Sequence, residues 1–197
     1  MTKVCIGVAT SGRGVRPRTV ESLLGIVNEA KCDFHFEMAS EGYTIAENRN
    51  YLAAKAIKNN CTHLLFIDDD MMFPVDTLTR LLAHNKEIIG VNYHPRMLCT
   101  LYMVGLFGDE EDGGEKVKEE DLPKELFTCR GVGAGVLLID TCVFHKIERP
   151  WFAWEVHEYG MVTEGEDFYF CKKAREAGYE IWCDPSLKIF HLGEYAF

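Results

Sequence analysis

The sequence predicts an α/β protein of a single domain, in which helices flank both faces of a mixed, mainly parallel sheet. Short apolar runs with the length of buried strands alternate with amphipathic helical patterns through the first half, and the order is more mixed in the second half. The size and composition agree with this prediction. A chain of 197 residues, 47% hydrophobic and 26% charged, is typical of one globular domain with a substantial core.

The predicted elements follow from the spacing of apolar residues along the chain. Val20, Leu23, Leu24 and Val27 recur at helical spacing, and we expect them to form the inner face of the first helix. Continuous apolar runs such as 4–9 predict strands that are buried on both faces. The predicted strands cover 4–9, 34–38, 64–67, 88–91, 132–139, 179–184 and 187–190, and the predicted helices cover 20–27, 44–57, 75–82, 141–147 and 166–177.

Charge and cysteine content exclude several classes of protein. The net charge of −10 disfavours tight non-specific binding to nucleic acid or to an anionic membrane, because both need clustered Lys and Arg. Much of this charge lies in the polar loop 108–125, which we expect to be mobile. Eight cysteines without a Cys-x-x-Cys pair favour free thiols in a reducing cytosol. Without a run of 18 apolar residues, the sequence predicts a cytoplasmic protein with no transmembrane segment.

Three successive acids, Asp68, Asp69 and Asp70, end the apolar run 64–67. Ligands bind beyond the carboxyl ends of strands in open α/β sheets, and three neighbouring acids repel one another unless a cation offsets their charge. Asp68 and Asp70 are two positions apart and can both face one divalent ion. Mg²⁺ is usually bound by one or two carboxylates together with the phosphates of a substrate. The alternative is a helix cap, which explains one Asp but not three.

Two segments of the first half are candidates for nucleotide contact. The loop 10–14 is small and flexible and holds Thr10 and Arg13, which suits a phosphate or a base, although a plain strand-to-helix loop fits it as well. Thr44 and Glu47 have the spacing of a capping box, so Arg49 falls in the first turns of a helix. The N-terminal end of a helix carries a partial positive charge, so a cation is unfavourable there. Arg49 is therefore expected to have a bound anion or a carboxylate as its partner, or else to be solvated.

Three segments of the second half complete the candidate set. Glu166 and Asp167 open a predicted helix and are candidates for a general base. His191 follows the last apolar run and is either a metal ligand or an ordinary histidine. The apolar, aromatic segment 150–154 is either a small accessory core or a surface on which a substrate stacks.

Taken in order, these motifs resemble the GT-A-fold nucleotide-sugar glycosyltransferases, particularly the small family-two-like enzymes of bacteria and their viruses. The segment 64–70 is similar to that family's strand and Asp-x-Asp motif, and 131–139 to its glycine-rich strand on the acceptor side. The segment 165–170 resembles its Glu-Asp motif, and 177–193 its closing segment. The resemblance implies a single GT-A (Rossmann-like) domain, with a nucleotide-binding half at about 1–95 and an acceptor-side half at about 96–197.

The resemblance also implies a role for each matched residue. Asp68, Asp70 and His191 would hold Mn²⁺ or Mg²⁺ on the diphosphate of a nucleoside diphosphate sugar, for which a UDP-sugar is the first candidate. Asp167, or else Glu166, would deprotonate the acceptor hydroxyl in an inverting transfer. Nucleotide contacts would come from a set of four residues: Thr10, Arg13, Arg49 and Asp69, the last of which either contacts the ribose or caps the next helix.

The sequence departs from the family at one place, because 37–41 has no unambiguous match to the acid that contacts uracil in many relatives. The acceptor stays open between a glycan, a lipid-linked sugar, a protein and a modified nucleobase, with loop 108–125 and Trp151/Trp154 expected to contact it. A sugar nucleotidyltransferase is an alternative enzyme, although its glycine- and lysine-rich entry loop is not apparent. A non-catalytic nucleotide- or glycan-binding domain is the non-enzymatic alternative.

Overall fold

The computed structural model describes residues 1–10, 12, 14–40, 42, 44–95, 102–107 and 115–193, with the backbone alone at 102–107 and 115–118. Five helices are assigned in these ranges: α1 Pro17–Glu29, α2 Ile45–Lys58, α3 Thr77–Ala83, α4 Val143–Lys146 and α5 Glu166–Glu176. The strands are β1 Lys3–Ala9, β2 Asp33–Ala39, β3 His63–Asp68, β4 Met71–Met72, β5 Ile88–Val91, β6 Tyr102–Phe107, β7 Glu115–Lys118, β8 Phe127–Cys129, β9 Gly131–Val132, β10 Val136–Asp140, β11 Glu155–Val156, β12 Val162–Glu164, β13 Ile181–Asp184 and β14 Phe190–His191.

Seven strands form the central sheet in the order β2-β1-β3-β10-β5-β13-β8. β10 is antiparallel to both of its neighbours and β8 is antiparallel to β13, so the other five strands run in one direction. The prediction of a mixed, mainly parallel sheet flanked by helices is therefore confirmed. The carboxyl ends of β1, β2, β3 and β5 lie at one edge, where ligands collect in open α/β sheets.

Each face of the sheet has its own core, because side chains alternate along every strand. On one face, Val4, Ile6 and Val8 of β1 are buried in the same cluster as Leu23 and Ile26 of α1. The opposite face buries apolar residues of α2, α4 and α5, including the stacked rings of Phe152 and Phe170, with centroids 4.8 Å apart. Burial of this apolar surface is the main driving force for the fold.

α1 forms where the sequence predicts a helix, but the predicted inner face is wrong for three of its four residues. Leu23 is buried as predicted, whereas Val20, Leu24 and Val27 are exposed, and Thr19, Ser22 and Ile26 are buried in their place. Polar groups after β3 explain the rotation. The Thr19 hydroxyl donates to the Asp69 carbonyl at 3.1 Å, and the Ser22 hydroxyl accepts the Phe73 N–H at 3.1 Å. Buried backbone groups need partners, so these two small side chains turn inward.

Other predicted elements also differ from the structure. The strand predicted at 187–190 is the two-residue strand β14, Phe190–His191. The strand predicted at 132–139 is two strands, β9 and β10, separated by a turn in which Gly135 accepts the Asp68 N–H at 3.0 Å. A Cβ at Gly135 would lie 2.6 Å from the Tyr93 hydroxyl, so only glycine fits this approach. In the predicted loop 108–125, β7 and a 3₁₀ turn (Glu119–Asp121) occur, while 108–114 lies outside the described residues.

None of the helices in the described ranges is long and apolar enough to span a bilayer.

Candidate active site

The three acids predicted to bind a metal lie at the carboxyl edge of the sheet, where β3 ends. Asp68 is the last residue of β3, and Asp69 and Asp70 form a turn into the two-residue strand β4. The interpretation of these acids as a helix cap is wrong, because α3 begins only at Thr77 and Asp76 precedes it as N-cap. Asp69 instead binds α1 through its backbone: its carbonyl accepts the Arg16 N–H at 2.9 Å.

Asp70 and His191 meet because β14 pairs antiparallel with β4. The Leu192 N–H donates to the Asp70 carbonyl at 2.7 Å, which fixes the register beside the turn. His191 Nε2 lies 3.2 Å from Asp70 Oδ1, and both side chains are largely buried. Asp70 and His191 thus form a carboxylate–imidazole pair, although they are 121 positions apart in the sequence (191 − 70).

Arg49 occupies the space beneath the acidic turn, on the capped first turns of α2. It is buried, and its guanidinium donates from Nη2 to Asp68 Oδ1 at 3.1 Å, from Nε to Glu166 Oε1 at 3.0 Å, and from Nη1 to the Ala134 carbonyl at 3.1 Å. Burial opposes its charge, but Asp68, Glu166 and then Asp167 raise its pKa well above the usual range. The sequence leaves a bound anion, a carboxylate partner and solvation open for Arg49; in the structure its partners are the carboxylates of Asp68 and Glu166.

Glu166 and Asp167 begin α5 and face the same edge from the other side. Asp167 is held by the N–H of Phe168, which donates to Oδ1 at 2.9 Å. Burial, followed by the neighbouring charge of Glu166, raises the pKa of Asp167 to about 6, while Arg49 and the Phe168 N–H act in the opposite direction. A carboxyl group with this pKa exchanges its proton near neutral pH.

Mutual repulsion among the acids is visible at Asp68. Burial raises its pKa, Arg49 lowers it, and Asp70 and Glu166 raise it further. Asp68, Asp70, Glu166 and Asp167 together outweigh Arg49 and His191 in formal charge at pH 7, whichever protonation state His191 takes. An additional cation at this edge would therefore be stabilised.

The donor atoms fit a divalent ion in part. A carboxylate and an imidazole are suitable ligands, and within the described part of the chain the buried Nδ1 of His191 has no hydrogen-bond partner. Asp68 is close by but directed to Arg49. As arranged among the described residues, no three His, Cys, Asp or Glu side chains surround a single metal position. Asp70 and His191 alone would suit a Mg²⁺ or Mn²⁺ ion whose remaining ligands are phosphates and water.

Of the predicted nucleotide contacts, Thr10 lies beside a cavity next to β2, whereas Arg49 and Asp69 lie at the acidic turn. Thr10 directly follows β1; its hydroxyl accepts the Gly12 N–H at 3.2 Å, and its carbonyl accepts a hydrogen bond from Asn48 Nδ2 at 3.2 Å. Arg13 lies outside the described residues. The cavity, of about 470 Å³, is lined by Met38, Ala39, Ser40, Gly42, Glu47, Asn48 and Tyr51.

The comparisons with known proteins concern the fold. No protein-family model and no curated protein sequence matches the chain. The structure is similar to A197 from STIV, with a TM-score of 0.64 at 18% identity over 98% of this chain and 87% of that one. It is also similar to the inositol-1-phosphate CTP transferase of T. maritima (0.54; 14%; 98% and 89%) and to S. aureus TarS 1-349 in complex with UDP-GlcNAc (0.50; 14%; 100% and 60%).

The protein has a GT-A-like fold. The chain spans 60% of the TarS chain, and the family-two detail of the resemblance is not established by identities of 14–18%. The division of this GT-A-like domain into a nucleotide-binding half and an acceptor-side half stays a prediction.

The segment 150–154 is predicted to be either a small accessory core or an exposed surface for substrate stacking, and it contains residues of both kinds. Trp151 and Phe152 are buried, and the Asn50 side chain binds both of their backbone N–H groups, at 3.0 and 3.2 Å. They therefore belong to the core. Trp154 is exposed and leads into the β11–β12 hairpin.

This hairpin has its polar face inward. Glu155 and Glu164 pair across the two strands, and Glu155 binds Lys172 of α5 at 2.9 Å. Val156 and Val162 pair on the outward face, where both are more than half exposed. The tip residues Tyr159 and Met161 are exposed as well. The hairpin of the GT-A-like fold thus presents apolar and aromatic groups to solvent, directly before Glu166 and Asp167.

Sequence reasoning missed Tyr93 as a residue of the site. Its buried hydroxyl accepts the Gly135 N–H at 3.0 Å, and its ring stacks edge-on against His191 with centroids 5.7 Å apart. Burial, then the charges of Asp68 and Asp167, raise its pKa well above the usual range. The available signal was its position just after β5, at the same sheet edge as the acids.

Proposed function

We propose that this protein is a metal-dependent glycosyltransferase that moves a sugar from a nucleoside diphosphate sugar to an acceptor hydroxyl. One observation carries the proposal: the acids of the β3–β4 turn and of α5 share one sheet edge, with Asp70 beside His191 and Arg49 between Asp68 and Glu166. The UDP-GlcNAc complex of the similar TarS structure supports a nucleotide-sugar donor, with a UDP-sugar as first candidate.

Asp70 and His191 would hold Mn²⁺ or Mg²⁺, with Asp68 fixed beside them by Arg49. Such an ion neutralises the charge of the leaving diphosphate. The excess of carboxylates at this edge supports a cationic ligand. Arg49 is buried among acids, so its role is to hold the site together, and direct contact with the nucleotide is left to Thr10, Asp69 and Arg13.

The cavity beside Thr10 would take the nucleoside. Its size suits a base with its ribose, and Glu47, Asn48 and Ser40 offer polar partners at its wall. Asn48 is already engaged, accepting the Gly42 N–H at 2.8 Å and donating to Thr10, so it keeps this wall in place.

Asp167 would be the general base of an inverting transfer. Its pKa of about 6 leaves it ionised at neutral pH yet able to accept a proton. Glu166 is bonded to Arg49, so we assign it to orientation of the α5 N-terminus.

The acceptor would approach from the β11–β12 hairpin. Its outward apolar face favours an acceptor with an apolar or aromatic part beside its hydroxyl group. A lipid-linked sugar or a modified nucleobase meets this requirement more readily than a plain glycan, and a protein acceptor stays open.

The test is a thermal-shift screen of nucleotide sugars with Mn²⁺, followed by a transfer assay over a broad acceptor panel. Binding should raise the melting temperature of the wild type by mass action. Asp70→Asn should lose the Mn²⁺-dependent shift and all transfer. Asp76→Asn, an acid of the same segment outside the site, should keep both. Asp167→Asn should bind donor but lose transfer.

Different outcomes would lead to different conclusions. Undiminished transfer by Asp70→Asn would refute the assignment. Loss of donor binding in Asp167→Asn would move that residue to the nucleotide side. Release of pyrophosphate from a nucleoside triphosphate and a sugar phosphate would identify a sugar nucleotidyltransferase. Donor binding without turnover would indicate a non-catalytic binding domain.

A further inference from the structure

β2 ends the central sheet, and in the described ranges no strand pairs with its outer edge. The Asp33 N–H and the Ala39 C=O bond toward the β1 side. Backbone groups alternate along a strand, so the N–H and C=O groups of Phe34, Phe36 and Met38 point to the open edge. Three residues of this seven-residue strand therefore present donors and acceptors that another strand can pair with.

The side chains at this edge do not protect it from pairing. Phe36 is 50% exposed and Met38 is 44% exposed. Edge strands are usually blocked by Lys, Pro, a bulge or a covering segment. β2 contains neither Lys nor Pro, and its seven residues pair in unbroken register with β1.

An apolar stripe on α1 adjoins the same face. Val20, Leu24 and Val27 are exposed along one side of the helix. Gly25 lies on the other flank of α1 and faces Val75. The apolar stripe is therefore on the side of the helix that points away from Val75. α1 packs on the β1 face that carries Ile6 and Val8, and these two residues are in register with Phe36 and Met38. The stripe and the exposed β2 side chains are therefore on one side of the sheet.

We propose that a second copy of this chain binds here, with the two β2 strands antiparallel across a two-fold axis at Phe36. In this register Phe34 lies opposite the partner's Met38, and Phe36 opposite the partner's Phe36. His35 lies opposite the partner's Glu37, on the other face. All three residues with outward backbone groups form hydrogen-bonded pairs. The interface is self-complementary in shape, hydrogen bonding and charge, as a two-fold contact requires.

The register follows from the strand itself. A shift by one residue would place each outward-facing residue opposite a residue whose N–H and C=O point inward, and a shift by two would shorten the ladder. Charge complementarity favours a second copy over an unrelated strand, because an imidazole and a carboxylate alternate on the α2 face of β2. His35 Nε2 lies 3.1 Å from Glu37 Oε2 within one chain, so the two side chains are already hydrogen-bond partners. Pairing would also remove the α1 stripe from water.

Sedimentation velocity of the full chain from low to high micromolar concentration tests the proposal. The wild type should reach the mass of a dimer. Phe36→Asp should remain monomeric, because two buried carboxylates would face each other at the axis. Leu24→Asp is a second variant on a different element and should weaken the dimer. Val156→Asp is the matched control, an exposed strand valine changed in the same way, and should dimerise as the wild type does.

The register has its own test. Phe36→Cys should form a disulfide-linked dimer on mild oxidation, because Cα atoms of a hydrogen-bonded antiparallel pair are about 5.5 Å apart. Wild type and Val156→Cys, treated alike, give the background from the native thiols. A wild type that stays monomeric at the highest concentration overturns the proposal. A dimer that survives both Phe36→Asp and Leu24→Asp, folded by circular dichroism, also overturns it, as does a dimer without Phe36→Cys cross-linking.

Discussion

Arg49 shows at the residue scale how the candidate site is held together. Its guanidinium joins β3, α5 and the turn before β10 through three hydrogen bonds, two of them to carboxylates. An ion pair of this kind is costly to break, because removing one partner leaves the other buried and uncompensated. The residue thus links the stability of the domain to the geometry of the acids.

We predict that Arg49→Met lowers the free energy of unfolding by about 3 to 5 kcal/mol. Urea unfolding at pH 7 measures the change. Arg18→Met is the control, because Arg18 and Glu21 form an exposed pair and its loss should cost less than about 1 kcal/mol. A second substitution, Glu166→Gln, should recover part of the loss in Arg49→Met. Equal effects of the two arginine substitutions would contradict the structural role of Arg49.

Asp167 gives a prediction on pH. Its carboxyl has a pKa of about 6 in the folded chain against an ordinary value of 3.8. Between these values the folded state holds a proton that the unfolded state has lost, so stability falls as pH rises through this range. The cost is complete above about pH 6 and absent below the ordinary value.

Asp167→Asn should therefore be more stable than the wild type at pH 8, by about 1 to 3 kcal/mol, and equal to it near the acid end of the range. Urea unfolding at both pH values, without divalent metal, measures the difference. The same substitution abolishes transfer in our proposal, so the residue would exchange stability for activity. A gain that is the same at both pH values would contradict a role of the charge.

At the scale of elements, α1 shows why a correct helix can be predicted with the wrong face. Its apolar spacing favours Val20, Leu23, Leu24 and Val27 as the inner face, but only Leu23 is buried. Thr19 and Ser22 bind backbone groups of the segment 69–73 and are buried as well. Local periodicity contains no information on a partner 50 positions away. The same limit hid the break between β9 and β10, which depends on Tyr93 and Gly135.

We predict that Ser22→Ala lowers the free energy of unfolding by about 1 to 2 kcal/mol, because it leaves the buried Phe73 N–H without its acceptor. Asn28→Ala, on the exposed side of the same helix, should change it by less than about 0.5 kcal/mol. Thermal unfolding at fixed protein concentration compares the two. Equal stability of both variants would mean that water replaces the hydroxyl of Ser22.

Elements with strong local signals were predicted well. The capping box of Thr44 and Glu47 is present in both directions, and Gly178 follows α5 with φ of +87°. The acids at the end of β3 and at the start of α5 were also placed correctly, since each belongs to an element boundary. The partner of Arg49 and the approach of Tyr93 to His191 depend on tertiary packing, which the spacing of residues does not encode.

At the scale of the whole molecule, the central sheet combines both ends of the chain. β10 lies between β3 and β5 and forms ladders with each of them, and β13 from the last part of the chain pairs with β5. The His191–Asp70 pair adds a further connection, between residues even farther apart in the sequence. The candidate site is therefore complete only when the final segment has returned to the sheet.

The position of β10 has a consequence for synthesis on the ribosome. When β5 emerges from the ribosome, β10, the strand that lies between β3 and β5 in the sheet, has yet to be translated. The growing chain therefore has two aliphatic strands, β3 and β5, whose facing edges are unpaired. Non-local pairing of this kind folds slowly and exposes unpaired strands meanwhile. At this stage β1, β2 and β3 can already pair with one another, but β5 has no strand through which to join them. Residues 136–140 later connect the two parts into one sheet.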